Sequence, residues 1–445
     1  MIPSPSHRAF LPRIHACIGI ALALAFCGAP RRLGAENILI KGAVIHTVSG
    51  SVISPGQIWI KDAKIQDVGE RIDAPEAVSV DLTGQHVYPG LIAASTALGL
   101  TEIGAIRATH DMREVGKFNP DVRSWIAMNP DSELIPVARA NGIAHIVPTP
   151  QGGLIAGHSG LVALEGWTME LMVAKKPLAL HVEWPEMNLD TTPKDQFRDK
   201  AKWKSPEDLA KDRRKDLAQL ESFFQDAAAY VRARDNNAEV RPQPAWEAMR
   251  PCLRGDIPVV VHADDLRAIQ AAVQWARTNQ LRLIISGGRD ASLAASLLAS
   301  NQVSVIFEHV FTRSLRDTEP YDHLYHAPAA LQQAGVTIAL SAGTGEMSET
   351  EIRNLPYHAA QAVAYGMRRE DALKTITLNP AKMFGVADRL GSIEKGKEAT
   401  LIATDGDLLD IRSHVTRMWI AGQPSSLETR HTRLYEKYRR RPNAR

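Results

Sequence analysis

Val87-Tyr88-Pro89-Gly90-Leu91-Ile92 is the first of eight apolar runs that recur along the middle of the chain. The others are Ile143 to Val147, Leu161 to Leu164, Leu178 to Val182, Ile257 to Val261, Leu281 to Ile285, Val303 to Phe307 and Val336 to Leu340, with helical patterning between them. Continuous apolar runs, as opposed to alternating ones, suit strands buried on both faces, which is the situation of parallel strands covered by helices. Eight such units in about 300 residues match a (β/α)8 barrel in count and length. The expected fold class is therefore α/β with a TIM-like barrel. An open doubly wound sheet is the competing topology, but no dinucleotide fingerprint follows the first run.

Outward from the barrel, both flanks read as short strands. Ile38-Leu39-Ile40, Val44-Ile45 and Ile58-Trp59-Ile60 are punctuated by Gly42, Gly50, Pro55-Gly56 and Asp62-Ala63, the composition of hairpins and their turns. A second cluster, Ala399 to Ala403 and Val415 to Ile420, closes the chain. Neither has enough strands for a stable sheet alone, so residues 36–88 and 386–424 are expected to build one composite β-sandwich around a barrel of residues 89–385. Residues 185–255 form a charged helical insertion, which either covers part of the barrel or moves as a lid. Ser205 is placed to cap its helix, Pro206 suits the first turn, and Leu209, Leu217, Leu220, Phe224, Ala227 and Val231 share one face. Residues 425–445 are a basic tail.

Among the 445 residues, Lys plus Arg total 52 against 50 for Asp plus Glu, a net charge of +2. That balance gives no footing for a nucleic-acid partner. Residues 1–35 run from basic Arg8 and Arg13 through the apolar Ala16 to Phe26 to small residues at Gly34-Ala35, the order of a secretory signal peptide. The apolar run is shorter than the ~20 residues a membrane span requires. An exported protein, periplasmic or secreted, with no stable membrane insertion after cleavage is the expectation. Cys17 and Cys27 fall in the signal region, leaving Cys252 without a disulfide partner.

The Pro89-Gly90-Leu91-Ile92 segment, the split flanking strands, Asn129-Pro130-Asp131-Ser132-Glu133-Leu134, Leu378-Asn379-Pro380-Ala381 and Leu390-Gly391-Ser392-Ile393-Glu394-Lys395-Gly396-Lys397 together resemble the amidohydrolase superfamily, in its imidazolonepropionase-like branch. The resemblance spans the whole chain after residue 35. It implies metal-assisted hydrolysis of amide-like or other C–N bonds in a small substrate. It also implies a His-x-His pair after strand one, a Lys or acid after strand four, histidines after strands five and six, and an Asp after strand eight. At those places this chain has Ser95 and Ala97, His181, His262, a residue among Ser286 to Gly288, and a residue among Ser341 to Thr344. Serine and alanine do not replace imidazole at a zinc site.

His262 is accordingly the candidate general base, and no cofactor is expected. Zinc would require a rebuilt site, for which His181, His262 and His309 are the available imidazoles. Glu102, Arg107, His158, His181, Asp264, Glu308, His309 and Glu346 lie near strand ends or in the loops that follow them, and are the candidate pocket residues for a small-molecule substrate or ligand. Two functions stay open on these residues: a hydrolase, or an inactive barrel that binds a small molecule or partner protein.

Overall fold

The computed structural model describes residues 37–236, 239–345 and 347–441. The expected signal peptide and the candidate Glu346 lie outside the described residues. The amino-terminal strands are β1 (Ile38–His46), β2 (Val52–Lys61), β3 (Lys64–Gly69), β4 (Val78–Asp81) and β5 (His86–Pro89). The barrel strands follow: β6 (Leu91–Thr96), β7 (Ile143–Pro148), β8 (Ile155–Ala163), β9 (Val173–Glu183), β10 (Val259–Ala263), β11 (Leu283–Gly287), β12 (Ser304–Phe307) and β13 (Ile338–Leu340). β14 (Leu401–Thr404), β15 (Val415–Ile420) and β16 (Gln423–Pro424) come last.

The two flanks join in one eight-stranded sheet, because β5 pairs antiparallel with β14 while its other edge lies parallel to β1. β1 branches, pairing with β4 along its first half and β5 along its second. Ile40, Ile45, Ile58, Ile60, Val87, Leu401 and Trp419 form the shared core. β2 and β3 are joined by Asp62-Ala63, both at positive φ, the left-handed pair that a two-residue hairpin turn demands.

The run Val87 to Ile92, read as one barrel strand, is divided between the two domains. Its first half is β5 of the flanking sheet, and the barrel strand begins only at Leu91. Gly90 marks the division, since a Cβ there would lie 2.6 Å from Ala144 Cβ and 2.7 Å from Thr400 Cγ2. The chain passes from sheet to barrel where only glycine fits.

β6 to β13 are hydrogen-bonded in sequence order, and a Thr96–Gly343 bridge links the first strand to the last. The TIM-like barrel is thus formed, with one departure: β8 runs antiparallel to both β7 and β9. The connection from β7 to β8 has only six residues, 149–154, and a parallel crossover needs a dozen or more. Reversal carries Leu161 to the closed pole and Ser159 toward the open one. The glycine-rich segment Gln151 to Gly160, which lies between the second and third apolar runs, is therefore half turn and half strand.

Ile92, Ala94, Val147, Leu161, Leu178, Val260, Ile284, Ile306 and Ala339 fill the barrel, and Met383, Phe384 and Leu390 close its lower end. In the insertion, helix Pro206–Asp235 is capped by Ser205, whose side chain accepts from Asp208 N–H. Its Phe224 meets Trp275 edge-on at 4.8 Å, and Phe223 stacks on Phe118 at 4.7 Å. The helix thereby braces the long loop after β6. Cys252 is buried, donates to Met249 O at 3.0 Å, and burial pushes its thiol up to about 12, which leaves it inert as a nucleophile.

Candidate active site at the barrel mouth

Above the apolar interior, the strand ends carry a layer of polar side chains. Ser159 Oγ lies 2.8 Å from His181 Nε2, and His181 Nδ1 lies 3.0 Å from His262 Nε2. The register explains the contact, because Gly157 of β8 stands opposite His181, and Glu183 of β9 stands opposite His262 of β10. Burial first, and then the neighbouring rings of His262 and His158, hold His181 well below the usual imidazole range. His181 is a neutral link with both ring nitrogens engaged, and it fixes the orientation of His262.

On the next two strands, with Ser286 of β11 directly opposite His262, Ser286 Oγ donates to Glu308 Oε1 at 2.7 Å. The other carboxylate oxygen, Oε2, occupies space that exists only because residue 343 is glycine: a Cβ there would lie 2.3 Å from it. Burial raises the Glu308 carboxyl above the usual carboxylate range, despite the opposing influence of His262, Ser286 and His309. A carboxyl in that state holds its proton to higher pH and can donate it.

A third pair stands beside these. His309 Nε2 lies 2.6 Å from Asp264 Oδ1, which also accepts from Arg289 N–H at 3.2 Å, while His309 Nδ1 lies 3.3 Å from Thr312 Oγ1. Burial acts to raise the Asp264 carboxyl, but the His309 contact and the backbone N–H and charge of Arg289 together outweigh it, and the carboxyl sits below its ordinary value. The three imidazoles weighed for a rebuilt metal site are thus divided: His181 and His262 face each other, and His309 is taken by Asp264. Among the described residues, no three His, Cys, Asp or Glu side chains converge as a metal-holding group. Where the resemblance implies a His-x-His pair, Ser95 and Ala97 are buried, Thr149 Oγ1 donates to Ser95 Oγ at 3.5 Å, and Ser341 Oγ donates to Ser95 O.

A cavity of ≈ 1040 Å³ opens over this layer, with Arg107, Arg113, Gln151, Glu183, His262 and Glu349 in its wall. Arg113 Nη2 donates to Gln151 Oε1 at 3.4 Å and Gln151 Nε2 to Thr344 O at 2.8 Å, so the loops after β6, β7 and β13 are tied into one rim. Of the residues singled out from the sequence, His262 and Arg107 line this cavity. His181, Asp264, Glu308 and His309 belong to the hydrogen-bonded pairs at the strand ends. Glu102 is turned elsewhere, accepting from Asn129 Nδ2 at 3.1 Å and Ser132 Oγ at 2.9 Å. His158 is buried against the loop, its Nδ1 lying 2.7 Å from Pro120 O, and burial lowers its pKa to about 4. Glu183 escaped the sequence reading although it follows His181 by one strand period and points the same way. Nothing in the pattern around Glu349 marks it.

An eight-stranded barrel with a composite sheet and a polar layer under a mouth cavity defines the class: a TIM-barrel scaffold whose polar cavity opens at the carboxyl-end pole. Residues 168–427 match the amidohydrolase family, and the chain belongs to that family. It is 21% identical over 402 residues to the amidohydrolase tasK of Hapsidospora irregularis, a match covering 82% of this chain and 39% of that protein. The chain thus spans about two fifths of that relative's length. It is 29% identical over 119 residues to a 5-methylthioadenosine/S-adenosylhomocysteine deaminase of Teredinibacter turnerae, covering 21% of this chain and 26% of the deaminase. A solved amidohydrolase from Thermotoga maritima superposes with a TM-score of 0.75 at 26% identity, covering 87% of this chain and 99% of its own.

Proposed function

We propose that this protein is an exported hydrolase that adds water across a C–N bond of a small substrate held in the barrel mouth, and that it does so without the metal ion usual for its family. The observation carrying the proposal is the meeting of two complementary groups at one pole. His262 lines the cavity with His181 and Ser159 behind it, and Glu308 holds a carboxyl biased toward its protonated form. Family membership and relatives named as an amidohydrolase and a deaminase support C–N hydrolysis. Of the family's ligand positions only those of His181 and His262 carry imidazoles, and the rest do not complete a site for a divalent ion, because Ser95 offers a hydroxyl already bonded, Ala97 a methyl, and neither Ser286 to Gly288 nor Ser341 to Thr344 holds an imidazole or a carboxylate.

In the proposed reaction, a ring nitrogen of His262 takes a proton from water as the oxygen attacks the substrate carbonyl carbon. The C–N bond then breaks as the Glu308 carboxyl gives its proton to the leaving nitrogen, and the His262 proton is returned to Glu308. Arg107 and Arg113 in the cavity wall suit a substrate with an anionic group. Export rests on the order of basic, apolar and small residues in positions 1–35, and amino-terminal sequencing of the exported fraction tests it.

The direct test of activity is a panel of small N-acylated and amino-substituted carboxylates, with ammonia or amine release as the readout. Turnover that is lost in His262→Gln supports the reading; no turnover on any member contradicts it. Ser95, Ala97 and the absence of an acid from Ser341 to Thr344 favour a second reading, a barrel that has kept its pocket and binds a small molecule or partner protein without turning it over. Calorimetric binding of a panel member with no product formed would select it.

A further inference from the structure

The amino-end pole of the barrel carries a second cavity, of ≈ 500 Å³, on the side opposite the mouth. It lies beneath the starts of β10, β11, β12 and β13, with Pro258, Leu283, Ser304 and Thr337 in its wall. Three cationic side chains, Arg277, Arg282 and Lys382, line it, and no Asp or Glu does. None of the three forms an ion pair among the described residues. Arg282 makes one hydrogen bond, from Nη1 to Gly255 O at 3.3 Å. Cations gathered without counter-charge repel one another, and that arrangement persists at least cost where an anion completes it.

Two further observations point the same way. Gln280 and Gln302, at the turns leading into β11 and β12, both line the cavity and both hold positive φ, 56° and 55°. Glycine would adopt that backbone without strain, yet each position carries an amide-bearing side chain at the rim. The positive field also reaches neighbouring groups: burial and then Arg282 hold the Lys175 ammonium below its usual range.

We propose that this pole cavity is a binding site for a compact multivalent oxyanion, a phosphorylated small molecule, separate from the barrel mouth. The guanidinium groups of Arg277 and Arg282 offer the forked donors that phosphoryl oxygens accept. The hydroxyls of Ser304 and Thr337 and the amides of Gln280 and Gln302 supply neutral donors around them. The volume of ≈ 500 Å³ admits a small molecule.

The test is calorimetric titration of the full chain with inorganic pyrophosphate at low ionic strength, with sodium chloride of equal ionic strength as the control. One saturable site per chain is expected. Its Kd should rise at least tenfold in Arg277→Gln/Arg282→Gln and in Lys382→Gln, and stay within twofold in Arg107→Gln/Arg113→Gln at the mouth. All these side chains are exposed, so thermal midpoints should match the parent and certify folding. Absence of saturable binding up to millimolar pyrophosphate would overturn the proposal. So would binding lost in the mouth variant and kept in the pole variants, or binding equal in all of them.

Discussion

Glu308 and Gly343 depend on each other. The carboxylate lies where a side chain at 343 would be, and the backbone there has a φ of +72°, which disfavours any L side chain. Gly343→Ala should therefore displace Glu308 while leaving the barrel folded. The proposed chemistry predicts a fall in kcat/KM on the order of 10²-fold, the lower end for a lost acid–base group, with an unchanged circular dichroism spectrum. Glu308→Gln tests the proton itself. Parent activity should decline as pH rises through the raised pKa of Glu308, and the variant should lose that alkaline limb along with most turnover. Stability carries the same sign. A carboxyl whose folded pKa lies above its ordinary value of 4.5 contributes fully below that value, and its contribution is lost as pH rises through the folded pKa. Glu308→Gln should thus be more resistant to urea than the parent at neutral pH, and lower resistance there would count against burial holding the Glu308 carboxyl above its ordinary range.

At the scale of elements, β8 separates what could be read in advance from what could not. Its apolar residues announced a buried strand, and the count of eight held. Its direction was hidden, because a continuous apolar run has no polarity and the run Leu161 to Leu164 marks only the far end of β8, which conceals how short the six-residue link from β7 is. The division at Gly90 was hidden for a similar reason: β5 and β6 are both buried, so hydrophobicity does not change where the domains meet. Candidate residues could be placed at the mouth from the sequence where they end a strand, as His262 and Glu308 do, and could not where loops supply the lining, as with Glu349. The hairpin gives its own prediction. Gly153 has a φ of +69°, and a Cβ there would come within 2.8 Å of the carbonyl oxygens of Gly116 and Lys117, backbone atoms that cannot swing aside. Gly153→Ala should cost more than about 1 kcal/mol in chemical denaturation and loosen the β7–β8 link, which would register as faster amide exchange at Leu154 and Ile155.

Across the whole molecule, buried imidazoles set the response to acid. Burial lowers His46, His145, His158 and His358 each from 6.5 to about 4. The unfolded chain takes up protons near 6.5 while the folded one resists until about 4, so stability present above 6.5 is lost as pH falls through that window. His145 is the clearest case, 1% exposed and with neither ring nitrogen hydrogen-bonded among the described residues. A shift of its size corresponds to about 3 kcal/mol. His145→Leu, similar in volume and unable to ionise, should narrow the drop in thermal midpoint between pH 7 and pH 5. An unchanged drop would show that this ring carries no part of the acid sensitivity.

The central claim is hydrolysis at the barrel mouth without a metal ion, and it is tested most directly by assaying one substrate after exhaustive chelation and again with zinc restored. The account predicts the same rate in both samples, with elemental analysis finding no stoichiometric metal and His262→Gln abolishing turnover in each. Activity that vanishes on chelation and returns with about one zinc per chain would contradict it.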